Sequence, residues 1–244
     1  FYVINMPNFY SKEYKMKVNA YIDGYNLYDA EKRLNDNRLK WLNLRALCQH
    51  FCNEGDCLDK VYYFTAYANK HIDYNGGKAR HKIYINDFLV DFGVEAIFGM
   101  FNTFEGQTKE KQTDINIALQ LFEDAINNNF DKAILISADT DFIPAIRKVK
   151  NLNKEFLLLL PPNHTYSPKF DEVVENYQCI KKEDLETHLL PSQSKNGTKM
   201  PKEYLSAIQA KKQDKDFTKR LKYDSWFPFE QCKECTEKLK THKF

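Results

Sequence analysis

The sequence predicts an α/β protein with a mostly parallel central sheet covered by helices on both faces, and three observations carry that expectation. Short runs rich in β-branched, aromatic or leucine residues recur along the first 190 residues; amphipathic stretches of helical period separate them; and acidic residues stand where several of the runs end. Runs that are apolar throughout suit strands buried on both faces. Parallel strands in turn need helix-sized crossovers between them.

The elements follow in order. VNAYID, residues 18–23, reads as the first strand, and Gly24 behind it permits a tight turn. Leu44, Leu47, Cys48, Phe51 and Cys52 mark the first helical stripe. KVYYFTAY (60–67) is the second strand, and Ile85, Phe88, Leu89 and Phe92 form the second stripe. VEAIF (94–98) is the third strand; Ile115, Ala118, Leu119, Phe122 and Ile126 form a third stripe, expected to face the core. KAILIS (132–137) is the fourth strand. Phe142, Ala145, Ile146 and Val149 follow as a fourth stripe, with Pro144 in its first turn, where a missing N–H costs nothing. EFLLLL (155–160) and YQCI (177–180) complete the strands.

Composition narrows the function classes. A formal charge of +2, 43% hydrophobic and 29% charged residues describe an ordinary globular chain and exclude a globally basic nucleic-acid coat. Any nucleic-acid contact must come from a local patch. No apolar stretch approaches the roughly 20 residues of a membrane span, so no membrane partner is expected. The opening FYVINMPNFYSKEY does not read as a secretory signal. Six cysteines are too sparse for a disulfide framework, and a reducing cytoplasm is the expected compartment. Cys232 and Cys235 have half the spacing of a zinc site without a second pair nearby. The chain divides into an N-terminal extension (1–16), one domain (17–190) and a linker with a basic, aromatic extension (191–244). Between 195 and 222 that last segment carries nine Lys/Arg against three Asp/Glu. It reads as a solvated tail or as an arm anchored by Trp226, Phe227 and Phe229. A homo-oligomer is left open.

The acids are the informative feature. In open α/β sheets, ligands sit beyond the carboxyl ends of the strands where strand order reverses. Asp23 ends the first strand, Asp139 and Asp141 follow the fourth, and Asp114 opens the helix that leads into the fourth. Each has a local alternative: an Asx turn for Asp23, a favourable helix-dipole position for Asp114, a helix cap for Asp139 or Thr140. Four carboxylates at one rim repel unless a cation lies among them. Oxygen ligands without nearby His or Cys favour Mg²⁺ or Mn²⁺ over zinc.

YIDGYNLY, KQTDINIAL and ISADTDFIPAI, in this order and spacing, resemble the NYN domain, a branch of the PIN-like nucleases that includes the LabA-like bacterial proteins. The resemblance covers about residues 17–190. It implies a PIN-like α/β/α fold and metal-dependent endonucleolytic cleavage of RNA, leaving a 5′-phosphate and a 3′-hydroxyl. By motif, Asp23, Asp114, Asp139 and Asp141 take the places of the acidic cluster. Asn26 takes that of the asparagine after the first acid, Ser137 that of the small hydroxyl residue before the paired acids, and Lys111 that of a basic residue before the helix acid. Ala138 stands where glycine is common in the family.

Substrate contacts are expected at the same rim. Phe101, Phe104, Lys109 and Lys111 precede Asp114 and offer stacking beside phosphate neutralisation. Lys78, Arg80 and His81 offer backbone contacts, and Asn26, Ser137 and Thr140, beside the acids, are further expected substrate contacts. The expected partner is single-stranded RNA. Two rivals stand: a catalytically weak RNA-binding or regulatory module that keeps the acidic pocket, and a phosphatase of another acid-rich α/β fold. A haloacid-dehalogenase-like enzyme would want an acid two residues after Asp23, where Tyr25 stands.

Overall fold

β1 (Lys17–Asp23) is buried along almost its whole length, and its side chains alternate between two cores. Val18, Ala20 and Ile22 pack into one and Tyr21 into the other, the period-2 geometry of a strand covered on both faces. The computed structural model describes residues 15–67, 76–104 and 107–212. On one side of β1 lie β2 (Cys57–Thr65) and then β3 (Val94–Phe98); on the other lie β6 (Lys132–Ile136), β7 (Glu155–Leu160) and β8 (Tyr177–Cys179). All neighbours are parallel, with Asp23 opposite Phe64 and Ile22 opposite Ile136. The chain fills one half of the sheet outward from β1 and returns to fill the other half outward from β6. The reversal lies between β1 and β6, and their carboxyl ends flank the resulting crevice.

Helices cover both faces, which gives the three-layer α/β/α architecture. α1 (Gly24–Arg33), α2 (Leu44–His50) and α3 (Gly77–Ile83), the last prolonged by a π turn and a 3-10 turn to Phe92, pack on the Ile22 side. α4 (Thr113–Ile126) and α5 (Ile143–Lys150) pack on the Tyr21 side. An antiparallel hairpin, β4 (Met100–Phe104) and β5 (Gln107–Lys111), leads into α4.

The third predicted stripe is corrected. Ile115, Leu119 and Ile126 are exposed, whereas Ile117, Leu121 and Ala125 face the core. α4 carries apolar residues on more than one face, so its periodicity supports two phases. The buried bond from Tyr21 Oη–H to Asp124 Oδ2 at 2.7 Å belongs to the inward phase.

α6 (Lys182–Thr187) is joined to the domain through Arg38, which is 1% exposed and pairs with Asp36 and with Glu186 at 2.9 Å. The polar run after Pro191, which reads as a linker, lies against the domain. Lys195 N–H donates to Asp91, and Asn196 Nδ2 donates to Asp87 at 3.0 Å. Met200, and Ile208 of α7 (Lys202–Lys212), are buried in the α1–α3 core. Trp226, Phe227, Phe229, Cys232 and Cys235 lie outside the described residues. Cys48, Cys52 and Cys179 are free thiols. Among the described residues no helix is long and apolar enough to cross a membrane.

Candidate active site

Asp23 is both the last residue of β1 and the N-cap of α1. Its Oδ1 accepts from the Asn26 N–H at 3.0 Å and its Oδ2 from Ser137 Oγ–H at 3.0 Å. The local capping role and the convergent role are therefore held by the same carboxylate. Asp23 is 4% exposed, and that burial pushes its pKa up to about 6. The two hydrogen bonds pull it down, and the charges of Asp114 and Asp139 push it up further. The next residue has to be glycine. A Cβ on Gly24 would lie 2.5 Å from the Phe64 carbonyl oxygen and 2.7 Å from the Tyr63 ring, so α1 starts in direct contact with β2.

The loop after β6 is tied to α1 twice. Ser137, fully buried, donates to Asp23 and accepts the Asp139 N–H at 3.1 Å; Asn26 Oδ1 accepts the Ala138 N–H at 3.1 Å. Asp139 then caps the 3-10 turn Thr140–Phe142 by accepting the Asp141 N–H at 2.9 Å. Asp139 is half-buried and Asp141 exposed. Asp114 is exposed in the first turn of α4. Among the described residues no three Asp, Glu, His or Cys side chains stand close enough together to enclose an ion. The acids share one rim and one field, with Asp23 the buried member.

The profile of the NYN domain matches residues 17–180, which span β1 to the end of the sheet and every acid named above. The chain belongs to the NYN domain family. Over 177 residues it is 25% identical to 6-hydroxy-3-succinoylpyridine 3-monooxygenase HspA of Pseudomonas putida, which covers 55% of this chain and 56% of that protein. It is 30% identical over 78 residues to an uncharacterised protein of Methanocaldococcus jannaschii, 32% of each chain. The chain thus spans about half of the first curated relative and a third of the second. A solved Vibrio parahaemolyticus protein of unknown function has the same fold, with a TM-score of 0.50 at 20% identity over 73% of this chain and 98% of that one.

Other expected contacts of this NYN domain fall in different places. Thr140 opens the 3-10 turn beside Asp139. Arg80 pairs through Nε with Glu203 of α7 at 2.7 Å. His81 approaches Thr65 Oγ1 at 3.4 Å, and burial holds its pKa down to about 4, so the ring is neutral at pH 7. Lys109 and Lys111 are in β5, and their side chains lie outside the described residues. Sequence reasoning missed Glu31. It is 6% exposed and lines a cavity of about 530 Å³ beside the acids. The available signal was its position on α1, where Leu27, Ala30 and Glu31 share the inward face.

Proposed function

We propose that this NYN domain is a metal-dependent ribonuclease that hydrolyses single-stranded RNA, using Mg²⁺ or Mn²⁺ at the acidic rim. The observation that carries the reading is Asp23: a buried carboxylate that the charges of Asp114 and Asp139 make harder to ionise. A divalent cation reverses that balance, because it favours every charge the metal-free site disfavours. The donor set is oxygen-only and suits these hard cations. Asp23, Asp139 and Asp141, which stand too far apart in the metal-free chain to enclose an ion, would close around it on binding, with Asp114 completing the set directly or through water. When bound, the ion lowers the pKa of a water and offsets charge on the phosphoryl and leaving oxygens.

The chain's own groups give that site its order. Ser137 and the Asn26 N–H fix both oxygens of Asp23, while the Asn26 side chain fixes the backbone that presents Asp139. Asn26 and Ser137 are therefore positioning residues in this reading, and the lysines of β5 and the basic residues near α3 supply attraction for phosphate. Hydrolysis is preferred to the monooxygenase activity in the name of the Pseudomonas relative, because the gathered groups are carboxylates, a hydroxyl and an amide.

The test uses end-labelled single-stranded RNA with Mg²⁺, with Mn²⁺ and with EDTA. Cleavage should require the metal, leave 5′-phosphates, and fall by about 10²-fold or more in Asp139→Asn, while the melting temperature stays close to the parent's. RNA binding without cleavage in either metal would favour the regulatory-module alternative. Hydrolysis of small phosphate esters alone would favour a phosphatase.

A further inference from the structure

α1 links two features that the acidic site does not need together. Asp23 caps its first turn, and Glu31 stands eight residues later, about 12 Å along the axis at 1.5 Å per residue. The cavity of about 530 Å³ is lined by residues of α1 from Gly24 to Glu31. Its lining includes Gly24 and Thr113, the chain neighbours of Asp23 and Asp114, together with Tyr25. Glu31, Trp41 and Tyr84 also line it. This volume suits a ligand of nucleotide size.

The lining around Glu31 carries unspent polar chemistry. Among the described residues no hydrogen bond or ion pair holds the Glu31 carboxyl; Lys40 acts on it through charge alone, and burial pushes its pKa well above the ordinary carboxylate range. Close by, the Trp41 Nε1–H is buried without a hydrogen-bond partner. Buried polar groups without partners are costly, and a purely structural role supplies no compensation. The walls are aromatic. Trp41 packs on Tyr84 at 5.2 Å and on Tyr204 of α7 at 5.1 Å, while Tyr63 meets Tyr84 edge-on. Tyr28 is 47% exposed, with Lys40 Nζ 5.8 Å from its ring centre.

We propose that this cavity is a base pocket: it receives the nucleobase next to the phosphate at the acidic rim, between tyrosine faces, and bonds its polar edge to Glu31. The proposal rests on the ribonuclease reading for the phosphate and on the cavity for the base. Aromatic walls accept the flat face of a base, which every nucleobase offers. A protonated carboxyl presents one donor beside one acceptor, the complement of adenine N1 and N6–H. One nucleotide bridges from a phosphate at Asp23 to a base edge at Glu31.

The experiment titrates the full chain with adenosine 5′-monophosphate in Mg²⁺, which offsets the acids facing its phosphate, AMP having no internucleotide bond to cleave, with ribose 5-phosphate as the baseless control. AMP should bind saturably and roughly tenfold or more tighter than ribose 5-phosphate. Glu31→Gln, which keeps a donor beside an acceptor, should bind AMP within about threefold of the parent, whereas Glu31→Ala should lose about tenfold. Tyr28→Ala, at the exposed mouth, should lose affinity at an unchanged melting temperature, which keeps the test sound if Glu31→Ala fails to fold. Absence of saturable AMP binding, equal binding of ribose 5-phosphate, or indifference to both Glu31→Ala and Tyr28→Ala overturns the pocket, whatever the cleavage assay gives. AMP binding in a protein that cleaves no RNA overturns the ribonuclease reading and leaves a nucleotide site.

Discussion

Asp23→Asn tests the central electrostatic argument without any substrate. The Asp23 carboxyl rises from an ordinary 3.8 to about 6, chiefly through burial. The folded chain therefore holds a proton there that the unfolded chain has already released, and stability falls as pH climbs from about 4 to about 6, then stays at the lower level. The full effect is about 3 kcal/mol at neutral pH. Asparagine carries no charge and still caps α1, although its amide meets a Ser137 Oγ that already accepts the Asp139 N–H. A net gain of about 1–2 kcal/mol, roughly 3–6 °C in melting temperature, is expected in EDTA at pH 7. The gain should vanish near pH 4, where the parent carboxyl is protonated. Adding Mn²⁺ should then raise the parent's melting temperature and leave the variant's almost unmoved. Thermal melts at pH 4 and pH 7, with and without metal, give all four values. A variant less stable than the parent at pH 7 in EDTA, or a difference that does not change with pH, would refute the reasoning.

Gly24→Ala places a methyl 2.5 Å from the Phe64 carbonyl oxygen and should cost about 1–3 kcal/mol in urea denaturation, with cleavage falling further than stability because Asp23 moves with α1. Tyr21→Phe removes the buried donor to Asp124 and should cost about 1–3 kcal/mol at an unchanged urea slope, since Gln120 and Asn129 still reach that carboxylate. Truncation after Pro191 deletes Met200 and Ile208 from the core and should destabilise by on the order of 3 kcal/mol at every salt concentration. A loss seen only in RNA affinity at low salt would instead make the segment an electrostatic arm.

The central strands were legible because they are buried on both faces: VNAYID, KAILIS and EFLLLL have almost no polar positions to blur them. Placing Asp23 and Asp139 at one rim follows from that reading plus the rule for parallel sheets. α4 was harder, because Ile115 and Leu119 compete with Ile117 and Leu121, and only the sheet decides which pair turns inward. The β4–β5 hairpin left no such trace, since MFNTF and QTKEK lack a sustained apolar alternation. Glu31 was hidden by the opposite cause. In DAEKR it looks like any solvated helix acid, and its burial comes from the tyrosines of β2 and the turn after α3, distant in sequence.

The central position of β1 also has a kinetic meaning. Asp23 meets Ser137 across 114 residues, and β6 docks beside β1 only after the chain has made β2, β3 and α4. Contacts of such long separation form late, because the loop between them must close first. During synthesis a chain that has not yet emerged past residue 137 holds Asp23 with neither its hydroxyl partner nor the paired acids. Assembly of the site therefore waits for β6 but not for β7 and β8, and a stalled or truncated copy that ends before β6 lacks Ser137, Asp139 and Asp141 altogether.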